Sequence, residues 1–171
     1  MFQTHLLRGL NVDERQFRDL YHQYAGRLYT YALWITRNRD SSQDIIQSIF
    51  VKLWQYDELA LEGKALDAWL YRITRNACID FFRKCARNFK LRLRYSREFT
   101  RYGAETAEQK SVWDALDMVS EKERAILFLF FHAGYSHKEI AGMLKMQETN
   151  VRVVSFRALE KLRKKYVGKI V

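Results

Sequence analysis

The sequence predicts an all-α protein built as two small helical domains joined by a basic linker. Three observations carry this expectation. The 171 residues include no proline. Apolar residues recur three and four apart along most of the chain. The one alternating segment, Leu91, Leu93 and Tyr95, is short and studded with arginine. Hydrophobic residues make up 48% of the chain, which excludes global disorder.

The elements follow in order. Phe17, Leu20, Tyr21, Tyr24, Leu28, Tyr31, Ala32 and Ile35 form one stripe at helical spacing, with Asp13 and Gln16 as its N-terminal cap. Asp40 with Gln43 starts a second helix, whose buried row is Ile46, Ile49, Phe50, Leu53 and Trp54. Residues 56–65 read as a loop or short turn. The stretch from Ala65 to Lys84 predicts a third helix with two stripes. Leu66, Leu70, Ile73, Ala77 and Phe81 form its buried face, and Trp69, Arg72, Asn76, Asp80 and Arg83 line up beside it. That second row combines an aromatic ring, two guanidiniums and an amide, groups that stack on bases, hold phosphates and bond base edges. A helix needing only solubility would carry Glu and Lys there.

The core pattern lapses from about Ala86 to Ser111, with Tyr102-Gly103-Ala104 as the clearest break, so this stretch reads as a linker. Trp113, Leu116 and Val119 open the second domain. Ser120 with Glu123 forms a capping box for a helix over Glu121–Ala133, and Gly134 ends it in a left-handed residue. Ser136 with Glu139 caps a short helix through Leu144, and a last helix runs from about Gln147 to Lys165 or Tyr166. The expected boundaries are 10–87, 88–111 for the linker, and 112–171.

Residues 137–156 fit a helix-turn-helix, because Ile140, Ala141, Leu144, Met146, Val151 and Val154 supply its inner contacts at the required spacing. Lys145 stands where the turn usually has glycine, a cost of about 1 kcal/mol if its φ is positive. With Val151, Val154, Ala158 and Leu162 inward, Thr149, Arg152, Val153, Phe156, Arg163 and Lys164 point outward. An exposed Val and Phe beside Arg suit a major groove, where thymine methyls and guanine edges are offered. Arg157, Lys161 and Lys165 sit where flanking phosphates would be. A plain helical hairpin with a basic last helix is the blander alternative. Asp44, Gln47, Ser48, Val51 and Gln55 form the outer face of the second helix, which physics alone reads as solvated.

The net charge of +10 favours a polyanionic partner, nucleic acid before an anionic membrane surface. The charge is clustered. Residues 83–101 hold eight Lys or Arg against Glu98, and residues 152–169 hold seven against Glu160. Cys78 and Cys85 lie roughly 10 Å apart along one helix, too far for a bridge, and read as reduced, semi-buried thiols. His5, His22, His132 and His137 are scattered, so no metal site is expected and no cofactor is implied. No signal peptide is recognisable, and the longest apolar run, Ala125–Phe131, is too short to span a bilayer. A cytoplasmic protein without membrane insertion is expected.

Taken together, these stretches resemble the extracytoplasmic-function (ECF) sigma factors of bacterial RNA polymerase. The first domain's resemblance runs through Phe17–Tyr24, Asp44–Phe50 with Trp54, and Ala68–Asn76 with Asp80, Arg83 and Lys84. The second domain's runs through Ser120–Arg124, Gly134–Ala141, Val151-Arg152, Arg157-Ala158 and Leu162-Arg163. The resemblance implies a non-enzymatic promoter-specificity subunit. Asp44, Gln47, Ser48 and Val51 would then dock on the clamp helices of the largest polymerase subunit, with the flap of the second-largest as a further partner. Trp69, Arg72, Asn76, Asp80 and Arg83 would read the unwound −10 element, and the 56–65 loop would capture an extruded base. Thr149, Arg152, Val153, Phe156, Arg157 and Lys161 would bind the duplex −35 element. An anti-sigma partner, often membrane-anchored, is also implied. Lys145, the Val119-Ser120 pair in place of Leu-Pro, and Gln147–Asn150 depart from the family pattern and bear on promoter sequence. The competing classes are a stand-alone helix-turn-helix regulator on operator DNA and an enzyme acting on nucleic acid. The first has no need of the Trp69–Arg83 row. The second lacks paired carboxylates, a metal cluster or an activated nucleophile.

Overall fold

The computed structural model describes residues 14–55, 61–88 and 113–167, and every regular element among them is helical. These are α1 (Glu14–Thr36), α2 (Arg39–Trp54), α3 (Gly63–Arg87), α4 (Glu121–Leu127) continuing into a π-helical turn (Phe128–His132), α5 (His137–Leu144) and α6 (Glu148–Val167). Asp13, the 56–60 part of the expected loop and nearly all of the expected linker lie outside the described residues.

From Tyr24 onward the α1 stripe is buried as its spacing predicts, while Tyr21 is exposed. The α1–α2 turn corrects the expected start of α2. Its N-cap is Asn38, whose side chain accepts the Ser41 N–H at 2.7 Å, two residues before Asp40. Burial decides between them. The Ser42 hydroxyl donates to the Asn38 carbonyl at 2.6 Å and lies 2.8 Å from the Thr36 hydroxyl, so a satisfied polar knot fills the turn. Asp40 instead stands exposed in the first turn, where the helix dipole favours a carboxylate. Trp54, expected in the buried row of α2, is 51% exposed and rests edge-on against Phe17 at 4.9 Å.

The buried stripe of α3 is also rotated from the expected one. Leu66 and Leu70 are buried as expected, but Tyr71, Thr74, Cys78 and Cys85 complete the stripe, and Ile73, Ala77 and Phe81 are half-buried. The cause lies in the second half of the chain. Ala125, Ile126, Leu127, Phe128 and Leu129 are five consecutive buried residues, which a helix with one wet side cannot supply. α4 is enclosed because it packs on α1 as well as α6, and α5 packs on α3. The two halves therefore share one apolar core, running from Leu28 and Ile35 through Leu70 and Phe128 to Ile140 and Val151. A satellite cluster of Leu116, Val119, Leu127 and Ala158 closes the far side of α4.

Both capping boxes form, Ser120 with Glu123 and Ser136 with Glu139. Gly134 has φ 76°. The single helix expected over Glu121–Ala133 widens at Phe128, where the Ala133 N–H reaches back to the Phe128 carbonyl at 3.0 Å.

Candidate nucleic-acid interface

α3 carries its second row as predicted. Asn76, Asp80 and Arg83 are exposed, and Trp69 and Arg72 are half-buried. Trp69 packs one side against the core, which fixes its orientation. Five side chains at spacings of three and four span about 21 Å along one face. Arg83 donates to Asp80 at 3.2 Å, an exposed pair of small stabilising value that trims the positive field at this point.

The helix-turn-helix has the expected inner contacts, with Ile140, Ala141, Leu144 and Val151 buried. Lys145 adopts the left-handed conformation at φ 52° and ψ 51°, and its N–H closes α5 onto the Ala141 and Gly142 carbonyls. The next amide, of Met146, also bonds the Ala141 carbonyl, at 2.9 Å. A side chain in that conformation costs about 1 kcal/mol, which glycine would avoid. On α6, Thr149, Arg152, Val153, Phe156 and Arg157 all face outward, with Val153 45% and Phe156 66% exposed. Arg152 lies along the helix with its guanidinium on Glu148 at 2.7 Å, so it is held beside the apolar pair.

Lys161 departs from its expected place among phosphate-facing residues. Its ammonium is turned across α6 onto both Glu123 oxygens, at 2.7 and 2.9 Å. Burial alone would raise the Glu123 carboxyl, but the Lys161 ammonium and the Ser120 N–H and hydroxyl outweigh it and hold that pKa below its ordinary value. Lys161 thus clamps α6 to the capping box of α4. The other box behaves similarly. Bonds from the Ser136 N–H and hydroxyl, then from Lys64, push the Glu139 carboxyl down to about 2.

On α2, Asp44, Gln47, Ser48 and Val51 are all exposed together, although the Ser48 hydroxyl is tied to the Ile45 carbonyl at 2.8 Å. Sequence reasoning missed the neighbours of this face. Trp54 (51% exposed) and Tyr21 (47% exposed) are exposed like Val51 (56%), Trp54 meeting Phe17 and Tyr21 meeting Phe50 edge-on. Their helical spacing was the misleading signal, since it matches that of a core stripe. Cys78 and Cys85 are both buried and unbridged, and burial pushes the Cys78 thiol up to about 12, so neither is a nucleophile at neutral pH. No helix among the described residues is long and apolar enough to cross a membrane.

Known proteins resemble this chain in sequence and in fold. Sigma-70 region 2 matches residues 20–88, and Sigma-70 region 4 matches residues 115–164. The ECF RNA polymerase sigma factor SigX of Bacillus subtilis is 28% identical over 163 residues, covering 88% of this chain and 84% of that protein. SigL of Mycobacterium tuberculosis is 28% identical over 142 residues, covering 79% of this chain and 80% of its own. Two solved structures share the fold at 21% identity. One is the sigma factor RpoE in complex with the anti-sigma factor NepR from Bartonella quintana, with a TM-score of 0.65 over 88% of this chain and 96% of that one. The other is CnrH in complex with the cytosolic domain of CnrY, with a TM-score of 0.64 over 91% and 90%.

Proposed function

From the premise that this chain belongs to the sigma-70 family, as a member of its ECF group carrying regions 2 and 4, we propose how its residues divide the work of a promoter-specificity subunit. The protein binds core RNA polymerase and promoter DNA and contributes no catalytic chemistry of its own. Residues 10–87 dock on the clamp helices of the largest subunit through Asp44, Gln47, Ser48 and Val51. The same domain holds the −10 strand with Trp69, Arg72, Asn76, Asp80 and Arg83. Residues 112–171 contact the flap and read the −35 duplex with Arg152, Val153 and Phe156 on base edges, and with Thr149 and Arg157 nearer the backbone. Residues 88–111 tether the two readers. Lys161 supports α6 through Glu123 and reaches phosphate only by leaving that carboxylate. The observation that carries this reading is the pairing, in one chain and in order, of the two matched regions with an exposed reading row on α3 and another on α6.

Opening DNA without nucleotide hydrolysis is energetically consistent with these residues. Unstacking a base costs a few kcal/mol. Stacking on Trp69 returns about 1–3 kcal/mol for each base held. Because one of the similar structures is a sigma factor in complex with an anti-sigma factor, an anti-sigma partner is part of the proposal, as is a cytoplasmic place of action. Run-off transcription with core polymerase on a genomic fragment library is the test. Discrete start sites sharing −35 and −10 elements are expected. Absence of any start site, together with binding to a palindromic operator unaided, would overturn the reading in favour of a stand-alone regulator.

A further inference from the structure

We infer that Arg75, together with Arg72, seats a backbone phosphate of the −10 strand on one flank of α3, while Trp69, Asn76 and Asp80 face its bases. This rests on the promoter reading above and adds a binding residue that lies outside the reading row. A contrast among the arginines carries it. Arg18 is held by Glu14, Arg37 by Asp117, Arg83 by Asp80, Arg152 by Glu148 and Arg163 by Glu160. Arg124 donates to the Leu116 and Val119 carbonyls at 2.9 and 3.1 Å. Arg72 and Arg75 are half-buried, and among the described residues neither guanidinium has an ion pair or a hydrogen bond. The Arg75 Nε is buried with no acceptor. Arg37 and Arg124 also bury an unpartnered Nε, but each guanidinium is anchored elsewhere. The titratable groups that feel the Arg75 charge are the Tyr31 hydroxyl and the Cys78 thiol, neither of them an anion at neutral pH.

A half-buried cation without an anion is costly, because burial strips water from it and nothing replaces that water. A helix needing only stability would carry Met or Gln at that place. An anion arriving with a ligand removes the cost, and the helix says which anion. At about 100° per residue, Arg72 lies about 60° from Trp69 and Arg75 about 120° from it, on the same side. Trp69, Asn76 and Asp80 stay within about 40° of one another. The opposite flank offers Ile73 and Ala77, half-buried and apolar, with nothing to hold a phosphate. A strand laid along α3 with its bases on Trp69 and Asn76 therefore turns its charged edge toward the two arginines. Three residues apart, their Cβ atoms are about 5–6 Å from each other, close enough for both guanidiniums to grip one phosphate. The fork of a guanidinium matches that oxygen geometry, whereas an ammonium would act as a point charge. Farther along the helix Arg83 is occupied by Asp80, so the grip falls on the first half of α3.

Arg75→Met tests this, because it keeps the apolar stem and removes the charge. The full chain is assembled on core polymerase. The probe is a fork-junction DNA whose unpaired −10 strand copies a start site recovered by run-off transcription, and binding is followed by fluorescence anisotropy. Arg75→Met should bind about tenfold more weakly than wild type. Its plot of log affinity against log salt should be shallower by about 0.7. Methylphosphonate, placed at one phosphate at a time, then locates the seat. One position should cost wild type about tenfold and cost Arg75→Met nothing further. Arg75→Lys should regain the salt slope without the full affinity. The Tm of the free Arg75→Met chain should equal or exceed that of wild type, since a charge without a partner is lost. Unchanged affinity and slope, losses that add at every methylphosphonate position, or a lowered Tm would each overturn the seat. Weaker association of Arg75→Met with core polymerase in the absence of DNA would also overturn it, and would hand the two arginines to a carboxylate of that partner. If wild type yields no start site, the promoter reading fails and the seat with it. If wild type initiates and Arg75→Met matches it on the fork, that reading stands and the seat alone falls.

Discussion

α3 and α6 are both long basic helices with an outward row of side chains beside a buried stripe, each proposed to read DNA, yet they are seated differently. α3 is gripped from both halves of the chain, by Tyr24 and Leu28 of α1 on one side and by Tyr135 and α5 on the other. α6 packs chiefly on its own half, through Val151, Ser155 and Ala158 against α4 and α5. Their rows differ in kind as well. That of α3 is polar with one anchored ring, whereas α6 thrusts out an isopropyl group and a phenyl ring beside a guanidinium. The difference suits the proposed division of labour, since catching a flexible single strand needs a rigid, hydrogen-bonding seat, and entering a preformed groove needs a helix that protrudes and tolerates contact with methyl groups.

The largest effect that could break this contrast comes from the shared core. Leu70→Ala under α3 and Ile140→Ala in α5 should each lose about 2–5 kcal/mol of stability. Urea transitions followed by helical circular dichroism and by tryptophan fluorescence should stay coincident. Separate transitions would mean that the halves fold independently and that α3 is not gripped from both sides.

The readers come next. Trp69→Ala should weaken single-stranded −10 binding by about 1–3 kcal/mol and leave −35 duplex binding unchanged. Arg152→Ala should weaken promoter use by about 1–3 kcal/mol, in a sequence-dependent way. A scan of −35 variants giving one uniform loss would reassign Arg152 to backbone contact. Charge reversal at Asp44 should weaken association with core polymerase about tenfold without unfolding the chain, as read by co-purification and by circular dichroism. Lys145→Gly should stabilise the protein by up to about 1 kcal/mol by relieving the left-handed turn, seen as a raised Tm.

The smallest effect concerns how α6 is clamped. Glu123 has a lower pKa folded than unfolded, so the native state binds its proton less readily. Its contribution is full above the ordinary carboxylate range and is lost as pH falls through the folded value. Between about pH 6 and pH 3.5, wild type should therefore lose more Tm than Glu123→Gln. Parallel curves would show that the Lys161–Glu123 contact adds no stability.

What was legible beforehand divides along the same line. Both capping boxes, the left-handed Gly134 and the outward set on α6 follow from spacings within a few residues, and local chemistry settles them. The seam did not follow, because no short-range pattern says which distant helix Tyr71 or Tyr135 will meet. The signal that did exist was Ala125–Phe131. An apolar run too short for a bilayer but hydrophobic on every side demands burial all round, which a second layer of helices provides for Ala125–Leu129 while Phe131 stays exposed. Trp54 and Tyr21 erred the other way, because a stripe that continues beyond the core's edge is indistinguishable by period from one that stays inside it.

The wide turn at Phe128–His132 sets the angular phase of everything after it. Removing one residue there would let the ordinary helical period resume and swing Tyr135 by about 100° about the axis. The tyrosine would then face away from Asp67 while its own half kept most of its packing. A single irregular turn thus works like a keyed coupling between two shafts, setting whether the Tyr135 hydroxyl can meet the Asp67 carboxylate across the two halves.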